Sequence, residues 1–427
     1  MVSPTCWFST VTSVTLRLVT SSRAPRVGYR EVLAVREFRG LLVSDGLSTL
    51  GDQVARIAVA LLVLERSGSA FAASATYACS YLTWLVGGPL LSALPDRYPR
   101  RRVMLACDVA RGLLVACLAV PGLPLWVVFG VLIAVGLLAP PAEAARSALL
   151  ADVLEGEPYV VANALSNAVG QAGQVGGFVL GGALVGLIGV EGALLADAAS
   201  FALSALILLA FVREHVVTRV AGPTVSMLVE AGAGAMLVWS SSRLRSLLAW
   251  GLLSAASVIA AEGLAVAITE EQGGGPLAAG ILTASVPAGF LLGSWLLLRV
   301  AAERRERLFP WLVAISCLPL MATPLVDSLT GITLLWVLAG CGNALQLVAN
   351  SSFVQAVPAH LRGRAFGVAV TLLMVLQGVV LLAAGALAET TDARLPIALV
   401  AVVCLAVVPL LSRQSQGSTI LRRGSEG

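Results

Sequence analysis

The stretch LPDRYPRRRVML, residues 94–105, places one acid and four arginines between two apolar runs. Residues 71–93, which precede it, contain no charged side chain, and another apolar run begins at Val103. A run of about 20 apolar residues is long enough to cross the hydrocarbon core of a bilayer. The stretch is therefore predicted to be a short charged loop between two membrane-spanning helices.

The composition of the whole chain supports this interpretation. The chain has 427 residues, of which 58% are hydrophobic and only 12% are charged, whereas soluble domains carry about 25% charged residues. Apolar runs long enough to span a membrane recur along the sequence. Barrel strands are about ten residues long and alternate in polarity, so the sequence predicts an all-α polytopic membrane protein.

Hydropathy predicts twelve transmembrane helices, and one long polar connection divides them six and six. Such a layout is typical of transporters built from two pseudo-symmetric six-helix bundles. The predicted units are a disordered cytoplasmic tail (1–38), an N-terminal bundle (39–212), a central cytoplasmic linker (213–245), a C-terminal bundle (246–412) and a second tail (413–427). The predicted spans are 40–64, 71–93, 102–121, 123–145, 160–186, 190–212, 246–268, 276–298, 308–327, 330–353, 366–388 and 395–412.

The basic residues predict the orientation. All 28 are arginine, and 23 of them fall in the tails and loops on the side of the N-terminus. Only Arg66 and Arg394 fall in loops on the other side. Loops rich in basic residues stay in the cytoplasm, so both termini are predicted to be cytoplasmic in a multi-pass protein of the plasma membrane.

Residues 92–101 resemble the signature loop of the major facilitator superfamily, G-x-L-a-D-R-x-G-R-R/K. Asp96, Arg97, Arg100 and Arg101 match it, whereas Ser92 and Pro99 replace its glycines. The resemblance implies that this latch loop, residues 92–102, holds the two halves together in the outward-open state. It implies that Asp96 pairs with Arg146 and with the start of the eleventh span, residues 362–367. The alternative is a positive-inside anchor, which explains the arginines but not the acid.

Three further segments are similar to the bacterial drug-efflux branch of that superfamily, which includes macrolide exporters. They are residues 38–70, 141–154 and 197–208. Transporters of siderophores and lysophospholipids lie near that branch. The resemblance implies a secondary transporter without covalent chemistry.

Glycines in the fifth predicted span recur on one helix face. Gly173, Gly177 and Gly181 are four residues apart, a spacing that lets two helices approach closely. Residues 177–182, which end in Gly181 and Gly182, resemble the antiporter motif G-P-x-x-G-G with Phe178 in place of the proline. The resemblance implies a seam that favours exchange, and the alternative is ordinary close packing.

Acids inside predicted spans are candidates for proton coupling, because a charge there costs about 2.5–3.5 kcal/mol. Asp45 and Asp52 lie two turns apart in the first span, and Glu262 lies well inside the seventh without a basic neighbour within a turn. Such an acid in a central cavity can exchange a proton for substrate.

Structural ion pairs are the competing interpretation of these charges. Arg56 follows Asp52 by four residues, and Arg111 follows Asp108 by three, so each pair can form within one helix. For Asp52 both interpretations remain open, and for Asp108 the structural one is favoured.

Four residues are candidates for the substrate route: Asn343, Gln346, Trp84 and Trp336. The alternative for the amides is hydrogen bonding between helices, which is the more common role of amides at this spacing. The seven cysteines form no CxxC motif, and there are only two histidines. A metal site, a cofactor and an enzymatic function are therefore not expected.

The leading functional hypothesis is proton-coupled efflux of amphipathic small molecules by alternating access. The expected partners are a small-molecule substrate, protons and the lipid bilayer, without nucleic acid, and a monomer is expected to suffice. A narrow exporter of one metabolite, siderophore or lysolipid is the alternative, and a non-transporting sensor with the same fold is less favoured.

Overall fold

The computed structural model describes residues 28–91, 94–214, 227–358 and 361–423. Within these ranges every regular element is helical. The outer parts of both predicted tails, the middle of the predicted linker, and Ser92 and Ala93 of the latch loop lie outside the described residues. We call residues 28–214 the first half of the chain and residues 227–423 the second half.

One helix of the first half is longer than a single membrane span requires. This helix, Glu157–Phe211, breaks at Gly189, whose φ of 76° lies in the left-handed region that favours glycine. Its two arms lie where the fifth and sixth spans are predicted. The helices are α1 (Tyr29–Ala34), α2 (Arg36–Ser67), α3 (Ala70–Leu91), α4 (Leu94–Arg97), α5 (Arg100–Leu118), α6 (Leu125–Val153) and α7 (Glu157–Phe211).

The second half begins with a helix inside the predicted linker. Residues 227–240 are helical, and Val238 is fully buried, so this part of the predicted connection packs against the helical core. The helices are α8 (Met227–Ser240), α9 (Ser242–Glu271), α10 (Pro276–Leu298), α11 (Ala302–Arg305), α12 (Phe309–Met321), α13 (Leu329–Asn343), α14 (Leu345–Ala356), α15 (Arg362–Ala388) and α16 (Arg394–Arg423).

Nine helices among the described residues are long and apolar enough to cross a membrane. Large apolar side chains such as Trp126, Leu187 and Leu325 lie on the outer surface, where lipid rather than water surrounds a membrane protein. The prediction of an all-α multi-pass membrane protein is confirmed. The count of twelve stays a prediction, since α7 is one element with two arms and α5 carries five charged residues.

Polar contacts distinguish two ends of the helical assembly. At the arginine-rich end, the Arg36 guanidinium donates to the Ala210 carbonyl at 3.1 Å. At the opposite end, Arg66 donates to the Leu123 carbonyl at 2.9 Å. The arginine-rich end also carries Arg97, Arg100, Arg101, Arg102, Arg213, Arg243, Arg304, Arg305 and Arg307.

The two halves of the chain meet closely towards the opposite end. A Cβ atom on Gly182 of α7 would lie 2.3 Å from the Pro276 carbonyl oxygen and 3.1 Å from the Gly280 Cα atom of α10, so the two backbones are in direct contact. Nearby, the Ser74 hydroxyl of α3 donates to the Leu381 carbonyl of α15 at 2.8 Å. These contacts close the space between the halves at that end.

The loop before α3 adds a polar contact at the same end. The Glu389 carboxylate accepts hydrogen bonds from the Ser69 hydroxyl at 2.7 Å and from the Phe71 backbone N–H at 2.8 Å. Ser69 also accepts from the Ala72 N–H at 3.0 Å, which is the geometry of a helix N-cap. The first turn of α3 is therefore capped by its own loop and by the other half of the chain.

Candidate functional site

A cavity of about 260 Å³ lies among α2, α3, α5, α6 and α7, with one side chain from α15. We call it the charged chamber, because two acids and two arginines line it although it lies within apolar helices. The side chains that matter here are Asp52, Arg56, Tyr77, Tyr81, Trp84, Arg111, Asp197 and Met374.

Asp52 and Arg111 form the shortest ion pair in the chamber. One terminal nitrogen of the Arg111 guanidinium lies 2.7 and 2.8 Å from the two Asp52 carboxylate oxygens. The guanidinium also lies over the Phe201 ring, 4.7 Å from its centroid. Asp52 thus pairs across helices with Arg111, rather than one turn away with Arg56, which was the pairing open to it within α2.

Arg56 instead reaches the second half of the chain. Its guanidinium lies 3.6 Å from the Glu262 carboxylate on α9 and 5.4 Å from the centroid of the Tyr81 ring. Glu262 is 8% exposed. It is isolated only along its own helix, because its basic partner comes from α2. This ion pair joins the two halves beside the charged chamber.

Asp108 has a neutral partner. Its buried carboxylate accepts a hydrogen bond from the Ser204 hydroxyl of α7 at 2.7 Å. The Arg111 guanidinium, which was its predicted partner, is bound to Asp52. Asp108 therefore ties α5 to α7 and does not belong to the lining of the chamber.

Asp197 is a chamber residue that the sequence reasoning did not select. It is 1% exposed, and one of its oxygens accepts a hydrogen bond from the Ser200 hydroxyl at 3.1 Å. Its other oxygen is buried without a hydrogen-bond partner among the described residues. An acid inside an otherwise apolar span is a signal that could have identified it.

Asp45 and Arg146 form a separate ion pair nearer the arginine-rich end. Their side chains are 2.9 Å apart, and Arg146 also pairs with Glu143 at 2.5 Å. Asp96 is exposed and has no hydrogen bond or ion pair to any described residue. The expected pair between Asp96 and Arg146 is therefore absent from this conformation.

The arginines of the latch loop bind the surrounding helices of the first half. Arg100 forms an ion pair with Asp152 at the end of α6. Arg101 donates to the Leu209 carbonyl at 2.7 Å, near the end of α7. Arg97 is exposed. These contacts hold the latch loop against the first half of the chain.

Three of the four candidate glycines face α2. A Cβ atom on Gly177 would lie 2.6 Å from the Leu50 carbonyl oxygen, and one on Gly181 would lie 2.9 Å from the Val54 Cα atom. Gly173 also faces α2 at a looser distance, whereas Gly182 alone touches the second half. The glycine series therefore allows close packing, mostly within the first half.

The substrate-route candidates are dispersed. Trp84 lines the charged chamber. Trp336 is fully buried in the core of the second half, where its indole N–H donates to the Thr323 hydroxyl at 3.2 Å. Asn343 accepts a hydrogen bond from Ser254 at 2.6 Å, and Gln346 lines a separate cavity of about 50 Å³. Only Trp84 lies in the chamber.

Solved transporters share the architecture of this chain. The nucleoside transporter NupG, as a single-residue variant, matches with a TM-score of 0.70 and 14% identity over 88% of this chain and 99% of its own. A bacterial homologue of the human lysosomal transporter Spinster matches with a TM-score of 0.70 and 16% identity over 89% and 97%. A POT family transporter in complex with a thioalcohol-conjugated peptide matches with a TM-score of 0.71 and 11% identity over 90% and 96%.

These identities are low enough that the similarity concerns the fold alone. No curated protein is significantly similar to the sequence. The family model of the Major Facilitator Superfamily matches residues 41–372, which is most of the chain and includes the latch loop and the whole charged chamber except its wall at Met374. The chain therefore belongs to the Major Facilitator Superfamily.

Proposed function

We propose that this protein is a secondary active transporter that exports amphipathic small molecules in exchange for protons. The observation that carries the proposal is the pair of acid–arginine contacts at the charged chamber, Asp52–Arg111 at 2.7 Å and Glu262–Arg56 at 3.6 Å. Ionisable residues buried in a membrane are costly, and they mark ion or substrate pathways.

Proton coupling follows from the chemistry of these pairs. Arginine stays charged at any accessible pH, so only the carboxylates can exchange protons. When Glu262 takes up a proton, its attraction to Arg56 is lost, and the two halves lose one of their contacts. A proton bound in one conformation and released in the other shifts the balance between them. Asp52 and Glu262 are the proposed coupling acids, and Asp45 belongs to a gate.

The proposed conformational cycle is alternating access between two six-helix bundles with twelve spans. The two arms of α7 count as separate spans, and α5 crosses the membrane despite its charges. The arginine-rich end is cytoplasmic, together with both termini, in the plasma membrane. The contacts of Gly182 and Glu389 then close the outer side, which corresponds to an inward-facing state. The Spinster homologue with this fold is also inward-facing.

The side chains that line the chamber favour an amphipathic substrate. Tyr77, Tyr81 and Trp84 supply aromatic faces, and most of the remaining lining is aliphatic. Arg56 and Arg111 already have acid partners, so a strongly charged sugar phosphate or nucleotide would find no free cation there. Efflux of drug-like compounds, by a monomer, is the form of transport we favour.

Vesicles containing the purified protein test the proposal under an imposed pH gradient. Lipophilic cations, macrolides and lysolipids are added one at a time while the internal pH is recorded. We expect substrate-evoked proton flux that Asp52→Asn or Glu262→Gln abolishes and that the matched variant Glu306→Gln, at the arginine-rich end, leaves intact. A response to a single compound would indicate an exporter with narrow specificity instead of a broad one. The absence of any response would contradict proton-coupled export of these classes.

A further inference from the structure

Asp197 occupies an unusual position beside the coupling acids. It lies on the second arm of α7 and packs against Gly51 of α2, where a Cβ atom would lie 2.2 Å from the Asp197 Oδ1 atom. Asp197 therefore contacts α2 at the residue just before Asp52. Both carboxylates line the same chamber. The absence of a side chain at position 51 is what allows Asp197 to approach α2.

The charges around Asp197 do not balance if both acids are ionised. The charged side chains that line the chamber with it are Asp52 and Arg56 on α2 and Arg111 on α5. Arg56 is paired with Glu262 of the second half, which leaves Asp52 and Arg111. Asp108, one turn before Arg111, is bound to the Ser204 hydroxyl. Two acids therefore share one arginine, and that arginine is bound to Asp52.

A buried carboxylate without a cation takes up a proton rather than remain charged. The second Asp197 oxygen has no hydrogen-bond partner among the described residues and is shielded from solvent. The chamber is electrically neutral around Arg111 only when one of the two acids carries a proton. Because Arg111 is bound to Asp52 in the described arrangement, Asp197 is the acid that would carry this proton.

We propose that Asp52 and Asp197 form a two-site proton relay around Arg111, a proposal that rests on the proton coupling proposed above. A proton that arrives at Asp52 neutralises this carboxylate and frees the Arg111 guanidinium. The guanidinium then pairs with Asp197, which releases its own proton. One proton enters and one leaves, and the sum of the three charges is zero before and after the exchange.

Infrared spectroscopy of the full-length protein in liposomes tests the relay at neutral pH without any substrate. The C=O stretch of a protonated carboxyl group is separate from the bands of a carboxylate. We expect Asp197→Asn to remove a component equal to one carboxyl group. We expect Asp52→Asn to remove the same component although Asp197 is intact. The amide imitates a protonated Asp52, so Arg111 is free to pair with Asp197, and Asp197 then loses its proton. The variant Asp392→Asn, at an exposed position, should leave this component unchanged.

Two results would overturn the relay. If the component persists in Asp197→Asn, another group holds the proton. If it disappears in Asp197→Asn but persists in Asp52→Asn, Asp197 is a static protonated residue that does not exchange with Asp52. Size-exclusion profiles and helical circular dichroism establish that each variant is folded. Because no transported compound is involved, loss of the relay and loss of the proposed export activity are separate outcomes.

Discussion

The Asp52 carboxylate and the Arg111 guanidinium lie 2.7 Å apart on two different helices, although 59 residues separate them along the chain. Asp52 is partly open to the chamber, with 29% of its side chain exposed, whereas only 12% of the Arg111 side chain is exposed. The arginine is therefore the more deeply buried member of the pair. The acid is the member that water or a substrate can reach.

Removal of this arginine is expected to destabilise the protein. Arg111→Gln leaves Asp52 without its cation, and breaking a buried ion pair from one side costs about 3–5 kcal/mol. The double variant Asp52→Asn/Arg111→Gln should be closer to the wild type in apparent melting temperature, measured by tryptophan fluorescence in detergent. A double variant that melts as low as the sum of both single effects would show that the two side chains do not interact.

The Arg56–Glu262 pair is expected to favour closure of the end opposite the arginines. Glu262→Gln removes the charge that attracts Arg56 across the halves, so the closed conformation should lose population. Spin labels at the exposed positions 120 and 325, one on each half at that end, should report a larger fraction of long distances.

Glu306→Gln is the matched control for that measurement. Glu306 pairs with Arg243 and accepts a hydrogen bond from Ser352, all within the second half. Its loss should leave the distance distribution unchanged. Equal distance distributions for Glu262→Gln and the wild type would show that the Arg56–Glu262 contact does not control closure.

The Glu389 contact is expected to weaken in acid. Hydrogen bonds from the Phe71 N–H and the Ser69 hydroxyl lower the pKa of Glu389 below its ordinary value. In the open form the carboxyl group has the pKa of a free glutamate, about 4.3. The contact is therefore complete above that value, and it weakens as the pH falls through the lowered pKa of the closed form.

The same two spin labels measure this pH dependence. The long-distance fraction should rise below about pH 4.3 in the wild type and should vary less with pH in Glu389→Gln, which has no charge to lose. A wild-type distribution that stays constant in this pH range would show that Glu389 does not control closure.

The contact between Gly182 and Gly280 is expected to admit no side chain. A Cβ atom on Gly280 would lie 2.4 Å from the Phe178 carbonyl oxygen, so α7 and α10 would have to separate. Gly280→Ala should destabilise the protein by about 1–3 kcal/mol, detected as a lower melting temperature. Gly186→Ala is the matched control, because nothing lies within 4 Å of its added Cβ atom. Equal melting temperatures would mean that the helices can separate at no cost.

The helices were predictable from the sequence because a membrane imposes a long apolar run on each span. The charged stretch at residues 94–105 identified the connection that follows α3, although most of it is helical in α4 and the start of α5. Its resemblance identified the superfamily. The break at Gly189 lies where the polarity pattern separates two spans. The helix at residues 227–240 was not expected, because the membrane does not impose a long apolar run on a connection between spans.

The partners of the buried charges were not predictable. Spacing along the sequence reveals neighbours one turn apart on the same helix, and it led to Arg56 for Asp52 and to Arg111 for Asp108. The actual partners come from other helices, because helix packing brings Arg111 to Asp52 and Arg56 to Glu262. The position of an acid in an apolar span could have identified Asp197, but its contact with Gly51 and its place in the chamber beside Asp52 arise from helix packing, which no spacing rule reveals.

The cap on α3 has a consequence for the order of assembly. Ser69 and Glu389 are separated by 320 residues, so the ribosome makes the first turn of α3 long before the carboxylate that caps it. Until then that turn has only its own serine as a cap. The complete cap of α3 therefore forms only after α15 is made, and a chain truncated before residue 389 would lack the acceptor for the Phe71 N–H.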